Sequence, residues 1–300
     1  MIIQRPYKCG LFSNRTKTTN SSILLLRSRS KGGMKMYYVI QNKAMPVEAA
    51  ELIEELKHDD NNKIIYADGP STFDWMKETK EWMKTDVVPI GTLEFVQKYL
   101  SVVHNINTMN PIEIPKELRL PHLLLRDYKI VQYDELPYNG QWFIKDVSKL
   151  KQFSYCGSMD TFFNDESFKQ YSNQLDPSHL YQVSEIIPIV AEYRVIVIED
   201  KIYGIQFYDG EPTTMPTSKE IAKIREAVGR YSLNNARPRA YTIDVAIIMS
   251  STNKDLRDLA LLEIHPAVAI GTYGCRGSFL PKMYRLGLDW YLKHNTELKT

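Results

Sequence analysis

This chain has few cysteines, little net charge and no long apolar run, and each shortage excludes a class of protein. Its three cysteines lie far apart in the sequence, so they indicate neither a disulfide framework nor a zinc site and favour a reducing cytoplasm. The formal net charge is only +2 and no basic stripe carries stacking aromatics, so we expect no nucleic-acid partner. No apolar run approaches the ~20 residues that span a bilayer, so we expect no membrane partner. The sequence predicts no particular oligomeric state.

Residues 1–33 differ in composition from the rest of the chain, being rich in Ser, Arg, Asn and Lys. A secretory signal would need a longer apolar core, whereas a basic, Ser-rich targeting peptide fits the composition. We favour another interpretation, because the Lys-Gly-Gly that precedes Met34 is what a purine-rich ribosome-binding site would encode if it were translated. We therefore expect a disordered or mis-annotated N-terminal extension and a true start at Met34 or Met36. An intact mass from the native source that includes Met1 would contradict this.

Strand and helix patterns alternate over residues 34–110, which predicts an α/β N-terminal domain with a parallel sheet. The strands are short runs of β-branched and aromatic residues, and the helices begin at a proline or at a threonine that can cap them. Residues 105–121 contain three prolines and no periodicity, which indicates a linker. The predicted strands are 36–40, 63–66 and 86–90, and the predicted helices run from Pro46, over 70–82 and from Thr92 to about Val103.

The second half of the chain is predicted to be largely antiparallel sheet with interleaved helices, an α+β arrangement. Two pairs of apolar runs have the spacing of hairpins, and the loop of the later pair covers residues 250–258. Residues 121–137 give no clear pattern. The predicted strands are 142–146, 181–187, 192–198, 202–208 and two more within 241–274, and the predicted helices are 161–174, one that Ser218 caps over 219–231, and one that contains Trp290.

Several of these strands carry a charged residue where a core residue would be expected. Charged side chains are rarely buried unless they are paired or liganded. One such residue could be a coincidence, but one on each of five strands predicts a shared polar cleft. The residues are Lys145, Glu185, Arg194, Asp244 and Glu263.

The two acids of the last hairpin, Asp244 and Glu263, suit a metal site. Side chains alternate along a strand, so Thr242 and Ala246 should share the face of Asp244. His265 and Leu261 should likewise share the face of Glu263. If the strands pair, the carboxylates lie side by side and repel unless a cation such as Mg²⁺ lies between them. The alternative interpretation is a pair of ordinary strands whose acids face solvent.

The ordered set of these segments over residues 36–292 resembles the ATP-grasp superfamily, and within it a RimK-like clade with small phage and bacterial members. The fold that the resemblance implies is an α/β N-terminal domain followed by an ATP-grasp fold, with a lid and a C-terminal antiparallel-sheet domain that hold ATP between them. The segments are the strand around Lys145, Gln-Val-Ser-Glu at 182–185, Glu-Tyr-Arg-Val at 192–195, Tyr-Thr-Ile-Asp-Val at 241–245 and Leu-Glu-Ile-His-Pro at 262–266, with support from 88–95 and 271–274.

The resemblance divides the chain into a pre-ATP-grasp-like domain over 34–110, a linker and central lid over 111–185, and a C-terminal ATP-grasp subdomain over 186–300. It also implies ATP and Mg²⁺ as cofactors, with Mn²⁺ as an alternative. The implied reaction is ATP-dependent ligation of a carboxylate to an amine through an acylphosphate, with an amino acid or peptide as acceptor. The alternative function is a catalytically inactive nucleotide-binding protein that acts on a host or protein partner.

Residue roles follow from the resemblance. The implied catalytic residues are Lys145, which would bind ATP phosphates, and Arg194, which would contact the γ-phosphate or the acylphosphate. The alternatives are a solvent-facing lysine on an edge strand and an arginine paired across strands with Glu192. Arg237 and Arg239 would bind a substrate carboxylate or be ordinary loop arginines. The implied nucleotide-binding strand is Gln182, Val183, Ser184 and Glu185, and the implied metal ligands are Asp244, Glu263 and His265.

Two features depart from the pattern of the superfamily. Many members have asparagine where this chain has His265, and an imidazole nitrogen suits Mn²⁺ better than Mg²⁺ unless it acts through water. Many members also have a glycine-rich lid loop whose backbone amides bind phosphates. Residues 146–159 contain Gly157 as their one glycine, so side chains would have to replace that backbone cradle.

Overall fold

The computed structural model carries three sheets, each built from a different part of the chain. Nothing below concerns residues outside the described ranges, which include the N-terminal extension with its predicted start site and the loop of the last hairpin. Within those ranges, no helix combines the length and the apolar character that crossing a bilayer requires. The structure describes residues 36–79, 86–150, 152–249 and 257–297.

The first sheet is parallel, as the alternation of strand and helix predicts. Its strand order is β2-β1-β3. The Thr92 side chain caps the third helix by accepting a hydrogen bond from the Phe95 amide at 3.4 Å, which confirms the predicted cap. The elements are β1 (Met36–Ile40), α1 (Pro46–Leu56), β2 (Asn62–Tyr66), α2 (Thr72–Thr79), β3 (Asp86–Ile90) and α3 (Leu93–His104).

The second sheet is antiparallel with the order β4-β7-β5-β6, and the pattern-poor stretch after Pro121 supplies its first strand. The single helix predicted over 161–174 is wrong. Asp165 ends the first helix in an extended conformation, and its carboxylate then accepts hydrogen bonds from both the amide and the hydroxyl of Ser167. The elements are α4 (Pro121–Leu124), β4 (Tyr128–Gln132), β5 (Gln141–Asp146), β6 (Ser154–Ser158), α5 (Met159–Asn164), α6 (Lys169–Ser172) and β7 (Leu180–Glu185).

The third sheet is antiparallel with the order β11-β10-β8-β9, and both predicted hairpins are present in it. The predicted helix cap is displaced by one residue. Thr217, rather than Ser218, accepts from the Glu220 amide, and the Glu220 carboxylate accepts in return from the Thr217 amide at 2.6 Å. The elements are β8 (Ile189–Ile198), β9 (Lys201–Gly210), α7 (Ser218–Tyr231), β10 (Ala240–Met249), β11 (Arg257–Pro266) and α8 (Leu280–Glu297).

The two faces of the third sheet are covered differently, and this places the charged residues. Ile243, Val245 and Ile247 of β10 pack with the apolar residues of α7 in one core. On the other face, Ile196 and Ala240 pack with α8 and with α1 of the first sheet. The charged strand residues lie on this second face, beyond the apolar contacts, where the second sheet comes close to the third.

Candidate active site

A row of charged side chains crosses the third sheet. Asp244 in β10 is the direct cross-strand partner of Arg194 in β8 and of Glu263 in β11. Lys145 in β5 reaches across from the second sheet and forms an ion pair with Glu263. The structure thus brings together four of the five charged residues from which the sequence predicts a shared cleft, and Glu185 lies apart from them.

A β-bulge in β11 puts the two acids on one face. Asp244 pairs with Glu263, but the next residue of β10, Val245, pairs with Leu261, so Leu262 is an extra residue. Leu261 and Ile264 therefore both point into the core beneath the sheet, while Glu263 points into the cleft. The expectation that Leu261 shares the face of Glu263 is wrong, because strict alternation fails at the bulge.

Arg194 and Asp244 form a buried, two-pronged ion pair. The Arg194 Nε and Nη2 atoms donate to the two carboxylate oxygens at 2.8 and 2.6 Å, and the side chains are 8 % and 1 % exposed. The guanidinium also lies 5.0 Å from the ring centre of Tyr208 and 5.2 Å from that of Tyr273. Burial alone would lower the pKa of Arg194, but the bonds to Asp244 raise it above its usual value. The anion that pairs with Arg194 is Asp244, in place of the Glu192 that the sequence offered.

Glu263 has a cation on each of its oxygens. Lys145 Nζ donates to one of them, and Nε2 of His265 lies 2.8 Å from the other. Burial favours the neutral carboxyl, but the charges of His265 and Lys145 outweigh it and hold the pKa of Glu263 well below its usual value. Lys145 is only 19 % exposed, which contradicts the alternative of a solvent-facing lysine.

Asp244, Glu263 and His265 could hold a divalent cation. One ligand atom from each lies within 4.8 Å of the others. Two carboxylates suit Mg²⁺, and an imidazole nitrogen extends the choice to Mn²⁺. Arg194 and Lys145 already balance the two negative charges, so an incoming cation would compete with Lys145 for Glu263. The residues present fit the metal that the resemblance implies.

The predicted nucleotide strand, β7, offers different groups on its two sides. Gln182 pairs across strands with Lys145, so its side chain lies on the same face of the second sheet, and Ser184 lies on that face as well. Val183 points the other way into the core of the sheet, which leaves its backbone for a ligand. Glu185 lies at the strand end, where its Oε2 accepts from the Asp127 amide at 2.9 Å.

The loop after β5 is held by a side chain. Asp146 is buried, and its Oδ1 accepts from the amides of Ser148 and Lys149 at 2.8 and 3.0 Å. Its Oδ2 lies 2.7 Å from Nδ1 of His179. These two amides are therefore engaged within the loop, and they differ from the free backbone amides of a glycine-rich phosphate loop.

Arg237 and Arg239 are not part of the charged row. Arg237 donates to Asp200, and Arg239 pairs with Glu199. Both acids form the turn between β8 and β9, at the end of the sheet away from Arg194. The interpretation of these residues as ordinary loop arginines fits the structure better than a substrate-binding role.

Sequence reasoning missed the aromatic and arginine residues around the row. Tyr273 lies against Arg194 from a loop that is tied to α1 by the bond from the Thr272 hydroxyl to Glu51, at 3.0 Å. A bond between residues 51 and 272 has no local signature. Arg126 binds the bulge in β11 and comes from the stretch that gave no pattern; a lone arginine after three leucines was its one available signal.

Comparison with known proteins gives one family match. A family model for the ATP-grasp domain, the second family of its clade, matches residues 125–282, which is more than half of the chain. No curated protein matches the sequence.

Solved structures resemble this one at low sequence identity. The D-alanine–D-alanine ligase of Coxiella burnetii is 12 % identical with a TM-score of 0.51, over 89 % of this chain and 97 % of that one. D-alanyl-alanine synthetase A of Vibrio cholerae is 12 % identical with a TM-score of 0.49, over 89 % and 99 %. An L-amino acid ligase of Bacillus licheniformis is 12 % identical with a TM-score of 0.46, over 88 % and 76 %. The first of these supports the fold; the finer resemblance to a RimK-like clade and to phage members stays a prediction.

Proposed function

Because this chain belongs to the ATP-grasp family, we propose that it is an ATP-dependent carboxylate–amine ligase. The observation that carries the proposal is the row of Arg194, Asp244 and Glu263 closed by Lys145 from the opposite sheet. Two acids that can hold a metal, flanked by two cations that can hold phosphate oxygens, form a site for phosphoryl transfer. A neutral cleft or a single acid would not.

The residues divide the reaction between them. Lys145 binds the phosphates of ATP, and the free edge of the Arg194 guanidinium holds the γ-phosphoryl group as it moves. Asp244, Glu263 and His265 hold a divalent cation, which supplies charge neutralisation at the phosphates. A substrate carboxylate oxygen attacks the γ-phosphorus and ADP leaves, giving an acylphosphate. The amine then attacks the acyl carbon, inorganic phosphate leaves, and the nitrogen loses a proton.

The nucleotide base and ribose would lie against β7. Gln182 and Ser184 face the cleft beside Lys145, Val183 offers its backbone, and the second oxygen of Glu185 can accept from a ribose hydroxyl. On this basis we propose residues 111–185 as linker and lid, with 34–110 before them and 186–300 as the C-terminal subdomain. The substrates would be an acid and an amine of amino-acid or peptide size.

Acid-dependent ADP release tests the proposed function. The protein is incubated with ATP, Mg²⁺ and pools of amino acids and short peptides, with hydroxylamine present to trap any acylphosphate as a hydroxamate. We expect ADP and hydroxamate in equal amounts with the correct acid, because hydroxylamine replaces the natural amine. Arg237→Gln is the matched control and should react like the wild type. Tight ATP binding without hydroxamate from any pool would favour the catalytically inactive nucleotide-binding protein instead.

A further inference from the structure

The side chain of Arg126 binds the backbone at the bulge beside Glu263. Its Nη1 donates to the carbonyls of Leu261 and Leu124 at 2.7 and 3.0 Å, and its Nη2 donates to the carbonyl of Leu262 at 3.2 Å. These bonds join residues 135 and 136 positions apart in the chain. One guanidinium thus connects the end of α4 to both residues of the bulge.

The bulge needs such a partner. An extra residue in a strand leaves the regular ladder of hydrogen bonds, and β11 is an edge strand of its sheet. A buried carbonyl without a donor costs free energy. The planar fork of arginine can donate to two neighbouring carbonyls at once, and Arg126 does so with Leu261 and Leu262.

The bulge also decides where Glu263 points. Leu261 faces the core, so in a regular strand Glu263, two residues later, would face the core as well. The extra residue, Leu262, reverses the alternation and turns Glu263 toward Asp244. Whatever holds the bulge therefore holds one of the two carboxylates in the metal position.

Arg126 is itself held at the junction of the two sheets. Leu125 before it adopts a left-handed conformation with φ of 53°, and Asp127 after it exchanges two hydrogen bonds with Glu185, at 2.9 and 3.2 Å. Burial lowers the pKa of Arg126 to about 10, with the charges of Tyr128 and Glu263 acting in the opposite direction. The guanidinium is therefore a charged, fixed group beside Glu263.

We propose that Arg126 is a positioning residue that sets the metal affinity of the site by fixing the bulge, so that Glu263 faces Asp244. This rests on the proposed metal–nucleotide site and adds a determinant of its geometry. Arg126 touches neither the metal nor the nucleotide in this account. Groups of this kind, which orient a metal ligand, typically change metal affinity by about 10–100-fold when they are removed.

The test measures Mn²⁺ binding by electron paramagnetic resonance in the presence of AMP-PNP, a non-hydrolysable ATP analogue. We expect Arg126→Met to weaken Mn²⁺ binding by about 10–100-fold, while the affinity for AMP-PNP without metal changes less than threefold. Arg126→Lys should recover part of the loss, because an ammonium can still donate to one or two of the carbonyls. The control is Arg237→Met, which also removes an arginine that donates to a backbone carbonyl, that of Asn234. It should bind Mn²⁺ like the wild type.

The outcomes separate this proposal from the proposed function. Wild-type Mn²⁺ affinity in Arg126→Met overturns the positioning role, and so does an equal loss of metal-free AMP-PNP affinity, which would indicate general damage. If Arg126→Met does not fold, Arg126→Lys decides alone: it supports the role by a selective loss of Mn²⁺ affinity and overturns it by binding like the wild type. Absence of Mn²⁺ binding in the wild type would instead refute the metal–nucleotide site itself.

Discussion

Lys145→Met is expected to lower the maximal rate of acid-dependent ADP formation by about 10²–10³-fold, the usual loss for one preorganised group that stabilises transition-state charge. Lys145 is the cation that reaches the row from the opposite sheet. In the proposed reaction it leaves Glu263 and binds phosphate oxygens. Methionine keeps the length and the apolar contacts of the side chain but removes the charge.

The same variant separates a phosphate role from a metal role. Lys145 competes with an incoming cation for Glu263, so its removal should leave Mn²⁺ affinity unchanged or make it tighter while the rate falls. The measurements are single-turnover ADP formation and Mn²⁺ titration, with Lys149→Met as a nearby control on an exposed lysine of the same loop region. A rate within threefold of the wild type would exclude Lys145 from catalysis.

Asp244→Leu is expected to destabilise the protein by about 3–5 kcal/mol, because it leaves the buried charge of Arg194 without its partner. The pair has two short hydrogen bonds and almost no exposure to solvent. The ring contacts of Tyr208 and Tyr273 would remain, but they are worth less than the lost carboxylate. The measurement is the free energy of unfolding in urea, without nucleotide or metal.

Removing both charges should restore most of that stability. An apolar pair of similar size often replaces a buried ion pair at no net cost, so the double variant Arg194→Met, Asp244→Leu should lie within about 1–2 kcal/mol of the wild type. It should nevertheless show no Mg²⁺-dependent response to ATP. A loss below about 1 kcal/mol in the single variant, the size expected for an exposed pair, would contradict the burial of this ion pair.

The local pattern of the sequence predicts much of this fold. The parallel first sheet follows from alternating strand and helix runs, and the cap at Thr92 follows from residue type. The pairing of Asp244 with Glu263 follows from two apolar runs that are joined by a polar loop. These features depend on residues close together in the chain, so periodicity and turn residues reveal them.

Features that depend on distant contacts could not be predicted in this way. The bulge at Leu262 reverses the side-chain alternation, and the group that binds it, Arg126, is more than 130 positions away. The contact of Lys145 with Glu263 likewise spans 118 positions. The resemblance to a family suggested that these residues share a site, but only the packing of the sheets gives the pairing. The break of the helix at Asp165 was missed because its side-chain turn overrides helical periodicity.

Thermal unfolding with ATP and Mg²⁺ tests the metal–nucleotide site most directly, on the wild type and on Glu263→Gln. Ligand at 100 times its dissociation constant should stabilise the wild type by about 2.7 kcal/mol, a shift of several degrees in Tm. We expect that shift to require Mg²⁺ and to shrink in the variant, whose amide keeps the shape of the side chain but loses its charge. No shift of the wild type with any nucleotide, or an equal shift in Glu263→Gln, would contradict the account.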